Sequence, residues 1–155
     1  MKKILFVHSR FNVVRLEIEC LEKYIIGLTV EYAGNANEAL KKLKEKNYPV
    51  VIMDIGMNPA DGWDKEEVAE GHLSGIKLHQ EMLEICKRKK QAPPSIIVFT
   101  ALCKADDELI AFSPKFYKQA SDYFREFTDD LRNWLCEPID PIILAGKVQE
   151  ILQQC

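Results

Sequence analysis

Four uninterrupted apolar runs organise the chain: Ile4-Leu5-Phe6-Val7, Val50-Val51-Ile52-Met53, Ile96-Ile97-Val98-Phe99 and the shorter Trp134-Leu135-Cys136. None alternates with polar residues. Each is therefore predicted as a strand buried on both faces, as in a parallel sheet covered by helices. Thr29 to Tyr32 supplies one more candidate strand. Between these runs the apolar period lengthens toward that of a helix. Val14, Ile18, Leu21 and Ile25 recur on one side of a first helix, which Gly27 closes. Ala39, Leu40 and Leu43 form the stripe of a second, and Leu78, Met82 and Ile85 that of a third running to about Lys90. Leu144, Val148 and Ile151 mark the last helix.

Several boundaries carry their own chemistry. Asn35 is placed to cap the second helix, with Glu38 three residues on as in a capping box. Pro49 suits the first residue of a strand. Asp140 is placed to cap the last helix, with Pro141 at its first position, where a missing N–H costs nothing. The stretch from Asp106 to about Leu131 reads as helical but interrupted by Pro114. Gly56 to Ser74 has no steady period and contains Pro59, Asp61-Gly62 and a charged run from Asp64 to Glu70. It is predicted as a long loop holding at most a short helix, and loops of that length are usually functional or mobile. Strands alternating with amphipathic helices predict an α/β fold: a doubly wound, five-stranded parallel sheet in a flavodoxin-like three-layer sandwich.

Composition narrows the function classes. The 155 residues, 47% apolar and 29% charged, suit one globular domain spanning 1–155. A net charge of −3 argues against a dedicated nucleic-acid face. The basic cluster Lys87 to Lys90 is accounted for by a solvated helix C-terminus. Five cysteines form no CxxC pair, and their number is odd, so they read as thiols in a reducing compartment. Ile4 to Val7 is too short for a signal peptide and no run reaches a membrane span, so a cytoplasmic protein is expected. Gly56, Gly62, Gly71 and Gly75 are too scattered for a phosphate-binding loop, and no Ser-His-Asp grouping sits in a nucleophile elbow. No enzyme activity and no required cofactor are expected.

In a doubly wound sheet, ligands bind beyond the C-terminal ends of the strands. The residues predicted there are His8 and Ser9, Asp54, Thr100 and Glu137. Each alone reads as loop solvation, and their shared position is what lifts the set. His8, Asp54 and Glu137 offer one imidazole and two carboxylates, reasonable ligands for zinc, manganese or iron. The alternative is that His8 forms a hydrogen bond with Asp54 or Glu137. Elsewhere, His79 reads as a surface or boundary residue and His72 as solvated. Trp63 could pack back on the domain or serve as a contact anchor. Phe112, Phe116, Tyr117, Tyr123, Phe124 and Phe127 read mainly as helical core, with part of the tract available as a partner or homodimer surface.

Lys3 to Ser9, Val50 to Asp54 followed by Met57-Asn58-Pro59, Val98 to Ala101, and Glu137-Pro138 occur in order at matching strand ends. In these the chain resembles the receiver domains of two-component response regulators. The resemblance implies that Asp54 accepts a phosphoryl group from a sensor histidine kinase, with Mg2+ if phosphorylation is retained. It also implies that Thr100 and Trp134 are switch residues, and that the module signals through protein partners without contacting nucleic acid or membrane. Departures accompany it. The family's acidic pair after strand one is His8 and Ser9 here, and its lysine before the proline after strand five is Glu137. Two apparent insertions fall at about 58–74 and 110–128. Phosphoryl transfer needs positive charge where negative charge develops. An imidazole and a hydroxyl are poor Mg2+ ligands, and Glu137 adds a negative charge. The expectation is an atypical receiver with phosphorylation at Asp54 impaired or absent; the hydrogen bond from His8 to Asp54 or Glu137 is the alternative by which the site would imitate one fixed signalling state. The rival readings are a conventional aspartyl-phosphoacceptor receiver and a small metal-binding or flavodoxin-like enzyme on the same sheet.

Overall fold

The absence of alternation in the apolar runs has a direct structural counterpart: neighbouring residues of each strand enter two different cores. In the computed structural model, which describes residues 2–103 and 114–154, the strands are β1 (Lys2–Val7), β2 (Leu28–Ala33), β3 (Val50–Met53), β4 (Ser95–Thr100) and β5 (Trp134–Cys136). They form one sheet in the order β2-β1-β3-β4-β5, with every pairing parallel. Leu5, Val7, Val51, Met53, Ile96 and Val98 face α2 (Ala36–Glu45), α3 (Ser74–Arg88) and α4 (Pro114–Phe124). Ile4, Phe6, Val50, Ile52, Ile97 and Phe99 face α1 (Phe11–Tyr24) and α5 (Pro141–Gln154). The predicted doubly wound α/β architecture is the one observed.

The helix ends follow the local chemistry. Asn35 Oδ1 accepts the Glu38 N–H at 2.9 Å, and the Glu38 carboxylate accepts the Gly34 N–H at 2.7 Å, one residue ahead of the cap. Asp140 Oδ1 accepts the Ile142 N–H at 3.0 Å, which caps α5 behind Pro141. α1 ends at Tyr24, earlier than its apolar stripe suggests. Ile25 nevertheless enters the core from the turn that follows, and Gly27, at φ +80°, aims the chain into β2.

The segment from Gly56 to Ser74 leaves and returns at one place. The Met57 N–H donates to the Gly71 carbonyl at 3.0 Å, and the Gly75 N–H to that of Ile55 at 2.7 Å. Ser74 Oγ donates to the Met57 carbonyl at 2.7 Å. Between these clamps the loop lies along α2 and α3. Trp63 Nε1 donates to Glu81 of α3 at 2.8 Å, and the Asp61 N–H to Asn37 of α2 at 3.0 Å. Its own Ala60, Val68 and Leu73 are buried, and Ala69–Gly71 forms one 3-10 turn. Of the two readings for Trp63, the ring packs back on the domain. In the second long stretch, Arg125–Phe127 forms a 3-10 turn after α4. The predicted helical pattern from Asp106 to Ser113, Phe112 and positions 110–113 of the apparent insertion lie outside the described residues.

Two expectations are corrected. His79 is not a boundary residue but 1% exposed, its Nδ1 2.8 Å from the Tyr123 hydroxyl and its ring against Phe124 and Phe127. The α4 region covers that flank of α3, and a local period cannot show which neighbour lies beside a helix. The cysteines are not all thiols. Cys103 and Cys136 are joined by a disulfide with a Cα–Cα distance of 5.9 Å, while Cys20 and Cys86 are free. Neighbouring strands bring together two residues that stand 33 apart in the chain. Among the described residues, no helix is long and apolar enough to cross a membrane.

Candidate functional site

Parallel pairing carries on past the strand ends and places the polar residues. The His8 N–H donates to the Ala33 carbonyl at 3.0 Å, Asp54 N–H to Val7 at 3.0 Å, and Glu137 N–H to Thr100 at 2.8 Å. Because β1 lies between β2 and β3, the chain reverses winding direction there, and a crevice opens beyond the strand ends at such a point. His8 and Asp54 are the first residues after β1 and β3, so the topology delivers both to that crevice.

His8 is at the centre. It is 2% exposed, and its Nε2 lies 2.5 Å from Glu137 Oε1 and 3.4 Å from Asp54 Oδ2. On the other side of the ring, Nδ1 accepts the Arg10 N–H at 3.0 Å. A neutral imidazole has one N–H and one lone pair. With the Nδ1 lone pair turned to Arg10, the tautomer is Nε2–H, which gives its proton to Glu137 with Asp54 alongside. Burial presses the imidazole toward neutrality, but the hydrogen bond with Glu137 and the charges of Asp54 and Glu137 outweigh it. The His8 pKa is raised above its ordinary value, with Arg10 opposing the rise. Asp54 Oδ1 accepts the Ile55 N–H at 2.7 Å. Burial lifts the Asp54 pKa, against hydrogen bonding from Thr100 and the charge of His8, and Glu137 adds to the lift. Thr100, 1% exposed, also accepts the Leu102 N–H on its Oγ1 at 3.1 Å.

His8, Asp54, Thr100 and Glu137 therefore converge. Ser9 does not join them and is exposed. Trp134 lies at the start of β5, turned to the α4 side. It is 9% exposed, its Nε1–H donates to the Leu102 carbonyl at 3.2 Å, and its ring meets Tyr117 and Phe124.

Two participants were not anticipated. Tyr32, on β2, donates its hydroxyl hydrogen to the His8 carbonyl. Glu17, on α1, is 8% exposed with its Oε2 free of any hydrogen-bond partner, and burial raises its pKa, with Glu137 adding to the rise. The signal for Glu17 was present, since it falls on the Val14–Leu21 stripe and puts a carboxyl at a core position. Tyr32 had none, because its contact depends on β2 lying beside β1.

The Mg2+ that the receiver resemblance implies wants several hard oxygen ligands in near-octahedral geometry. After β1 the side chains offered are an imidazole already bonded to Glu137 and an exposed serine. The residues do not fit Mg2+. For a softer metal, the donor atoms of His8, Asp54 and Glu137 all lie within 4.8 Å of one another. Binding one through Nε2 would move the imidazole proton to Nδ1, against the Arg10 N–H. The tautomer therefore favours a hydrogen-bonded site over a metal-bound one.

No protein-family model matches the sequence, and no curated protein matches it. Solved structures do. A response regulator receiver domain protein (CheY-like) from Methanospirillum hungatei JF-1 superposes with a TM-score of 0.66 at 19% identity, over 99% of this chain and 95% of that one. A response regulator from Desulfuromonas acetoxidans gives 0.66 at 16% identity, over 99% and 98% of the two chains. TrrA, a response regulator from Thermotoga maritima solved in complex with Mg2+-BeF, gives 0.59 at 26% identity, over 97% and 99%. The chain has the receiver-domain fold.

Proposed function

We propose that this chain is an atypical response-regulator receiver module that acts in signal transduction by protein–protein contact, with phosphorylation at Asp54 impaired. The observation that carries this reading is the His8–Glu137 hydrogen bond, 2.5 Å long, beside Asp54. A phosphoryl group on Asp54 would bring further negative charge next to Glu137, where transfer calls for a cation. Among the described residues, His8 is the cationic candidate that reaches Asp54, at 3.4 Å, and its Nε2–H is committed to Glu137. Thr100 Oγ1 already accepts the Leu102 N–H at 3.1 Å, which fixes the residue that would act as a switch. His8, Asp54, Thr100 and Glu137 thus hold one arrangement, and the surfaces around it, which the fold presents to a signalling partner such as a sensor kinase, carry the message.

Intact-protein mass spectrometry after incubation with acetyl phosphate and Mg2+ tests this. The native chain is expected to gain no phosphoryl mass of about 80 Da. The triple variant His8→Asp, Ser9→Asp, Glu137→Lys restores the acidic pair and the cation. It is expected to gain that mass, and to lose the gain when Asp54→Ala is added. Mg2+-dependent phosphorylation of the native chain at Asp54 would overturn the reading.

A further inference from the structure

We propose that Cys103 and Cys136 form a redox-responsive modification site, a covalent tether between the chain leaving β4 and the end of β5 that holds Thr100 and Glu137 in their observed arrangement. This inference stands on the bridge and its neighbours and does not need the receiver reading.

The bridge sits among contacts that converge on Thr100. Cys136 is in register with Thr100 across the β4–β5 pair, and the next residue, Glu137, donates its N–H to the Thr100 carbonyl at 2.8 Å. On the other side, the chain turns after β4. The Leu102 N–H donates to Thr100 Oγ1 at 3.1 Å, and the Leu102 carbonyl accepts Trp134 Nε1–H at 3.2 Å. Cys103 follows directly and is bonded to Cys136, its Cα 5.9 Å away. The disulfide therefore reinforces covalently what three hydrogen bonds do weakly.

Its position suits exchange chemistry. Cys136 is exposed and Cys103 half-buried, whereas the free thiol Cys86 is buried. A chain of this size with two full cores does not depend on a staple to fold, and two free thiols beside one bridge among the described residues do not suggest a disulfide-built scaffold. In the exchange reaction, a thiolate of a dithiol reductant attacks Cys136 Sγ and forms a mixed disulfide. Cys103 leaves as thiolate and takes a proton. The reductant's second thiolate then closes on the first and releases Cys136, which is protonated in turn. Two electrons and two protons pass to the protein, and the reductant departs as its disulfide. Reoxidation by a small disulfide such as glutathione disulfide reverses the sequence.

The full chain is prepared oxidised with glutathione disulfide and reduced with dithiothreitol, without denaturant. Iodoacetamide labelling and peptide mass spectrometry then read the thiols, and amide hydrogen exchange reads the tether. Reduction is expected to add labels at Cys103 and Cys136 while the protein stays folded. It is also expected to speed exchange at the Leu102 and Glu137 amides at least tenfold, leaving Val51 and Ile52 unchanged. Cys136→Ser is expected to show the fast exchange in either buffer, and Cys20→Ser to keep the redox response. The proposal is overturned if no bridge forms, if the bridge yields only once the chain unfolds, or if the two forms exchange alike at Leu102 and Glu137.

Discussion

His79 and His8 are 1% and 2% exposed, yet their titrations act on stability with opposite sign. Burial pushes the His79 pKa from 6.5 down to about 4. Between those values the unfolded chain binds a proton that the folded chain refuses, so stability falls as pH drops through the window, by up to about 3 kcal/mol. Urea denaturation at pH 7 and pH 4.5 is expected to show this loss, and His79→Gln to remove most of it. For His8 the folded pKa is raised. Its contribution is complete below the unfolded value and fades as pH climbs through the folded one. His8→Gln is expected to flatten that alkaline-side decline and to cost about 1–3 kcal/mol at mildly acidic pH, since the amide keeps a donor but removes the imidazolium charge beside Glu137 and Asp54. A second observable separates the two histidines. Protonation of His8 must occur at Nδ1 and expel the Arg10 N–H, so the Arg10 amide resonance should shift with the same midpoint as the His8 ring.

At the scale of elements, the placement of Asp54 depends on how closely α3 approaches the end of β3. A Cβ on Gly75 would lie 2.8 Å from both the Asp54 carbonyl oxygen and Ile55 Cα, and those are backbone atoms that cannot swing aside. Gly75→Ala is expected to destabilise the fold by about 1–3 kcal/mol, as overpacking does, and to shift the amide resonances of Asp54 and Ile55. Gly146 in α5 is the contrasting case, being exposed with no atom near the position of an added Cβ. There the same substitution should stabilise by about 1 kcal/mol, because only the helix preference of alanine operates. Chemical denaturation of both variants checks the pair of signs. The close approach also explains how a segment as long as Gly56 to Ser74 is accommodated. With Met57 paired to Gly71 and Ile55 to Gly75, the excursion closes on itself without displacing the strand end.

For the whole molecule, one sheet brings together four side chains from four strand ends, and the chemistry available there follows from which side chains they are. An imidazole bonded to one carboxylate and lying beside a second makes a hydrogen-bonded site rather than an Mg2+ site. Calorimetric titration of the native chain with Mg2+ is expected to show no saturable heat, and the His8→Asp, Ser9→Asp, Glu137→Lys variant to show a saturable one. Saturable binding to the native chain that Asp54→Ala abolishes would contradict this account of the donor set.

The sequence alone determined the five strands, the two-faced burial of β3 and of most of β1 and β4, the Asn35 and Asp140 caps and the strand-end positions of His8, Asp54, Thr100 and Glu137. Each is written in a local period or in a residue type whose meaning is local: an apolar run without alternation, an oxygen side chain before a helix, a polar residue that ends a buried strand. Tertiary structure alone decided the Cys103–Cys136 bridge, the burial of His79 under the α4 region, the path of the Gly56 to Ser74 loop along α2 and α3, and which partner His8 takes. Those depend on the order β2-β1-β3-β4-β5 and on contacts between segments far apart in the chain, which no window of residues encodes. Glu17 stands between the two cases. Its place on an apolar stripe was readable, but that the stripe would press a carboxyl into the core near His8 and Glu137 followed only once α1 had packed beside α5.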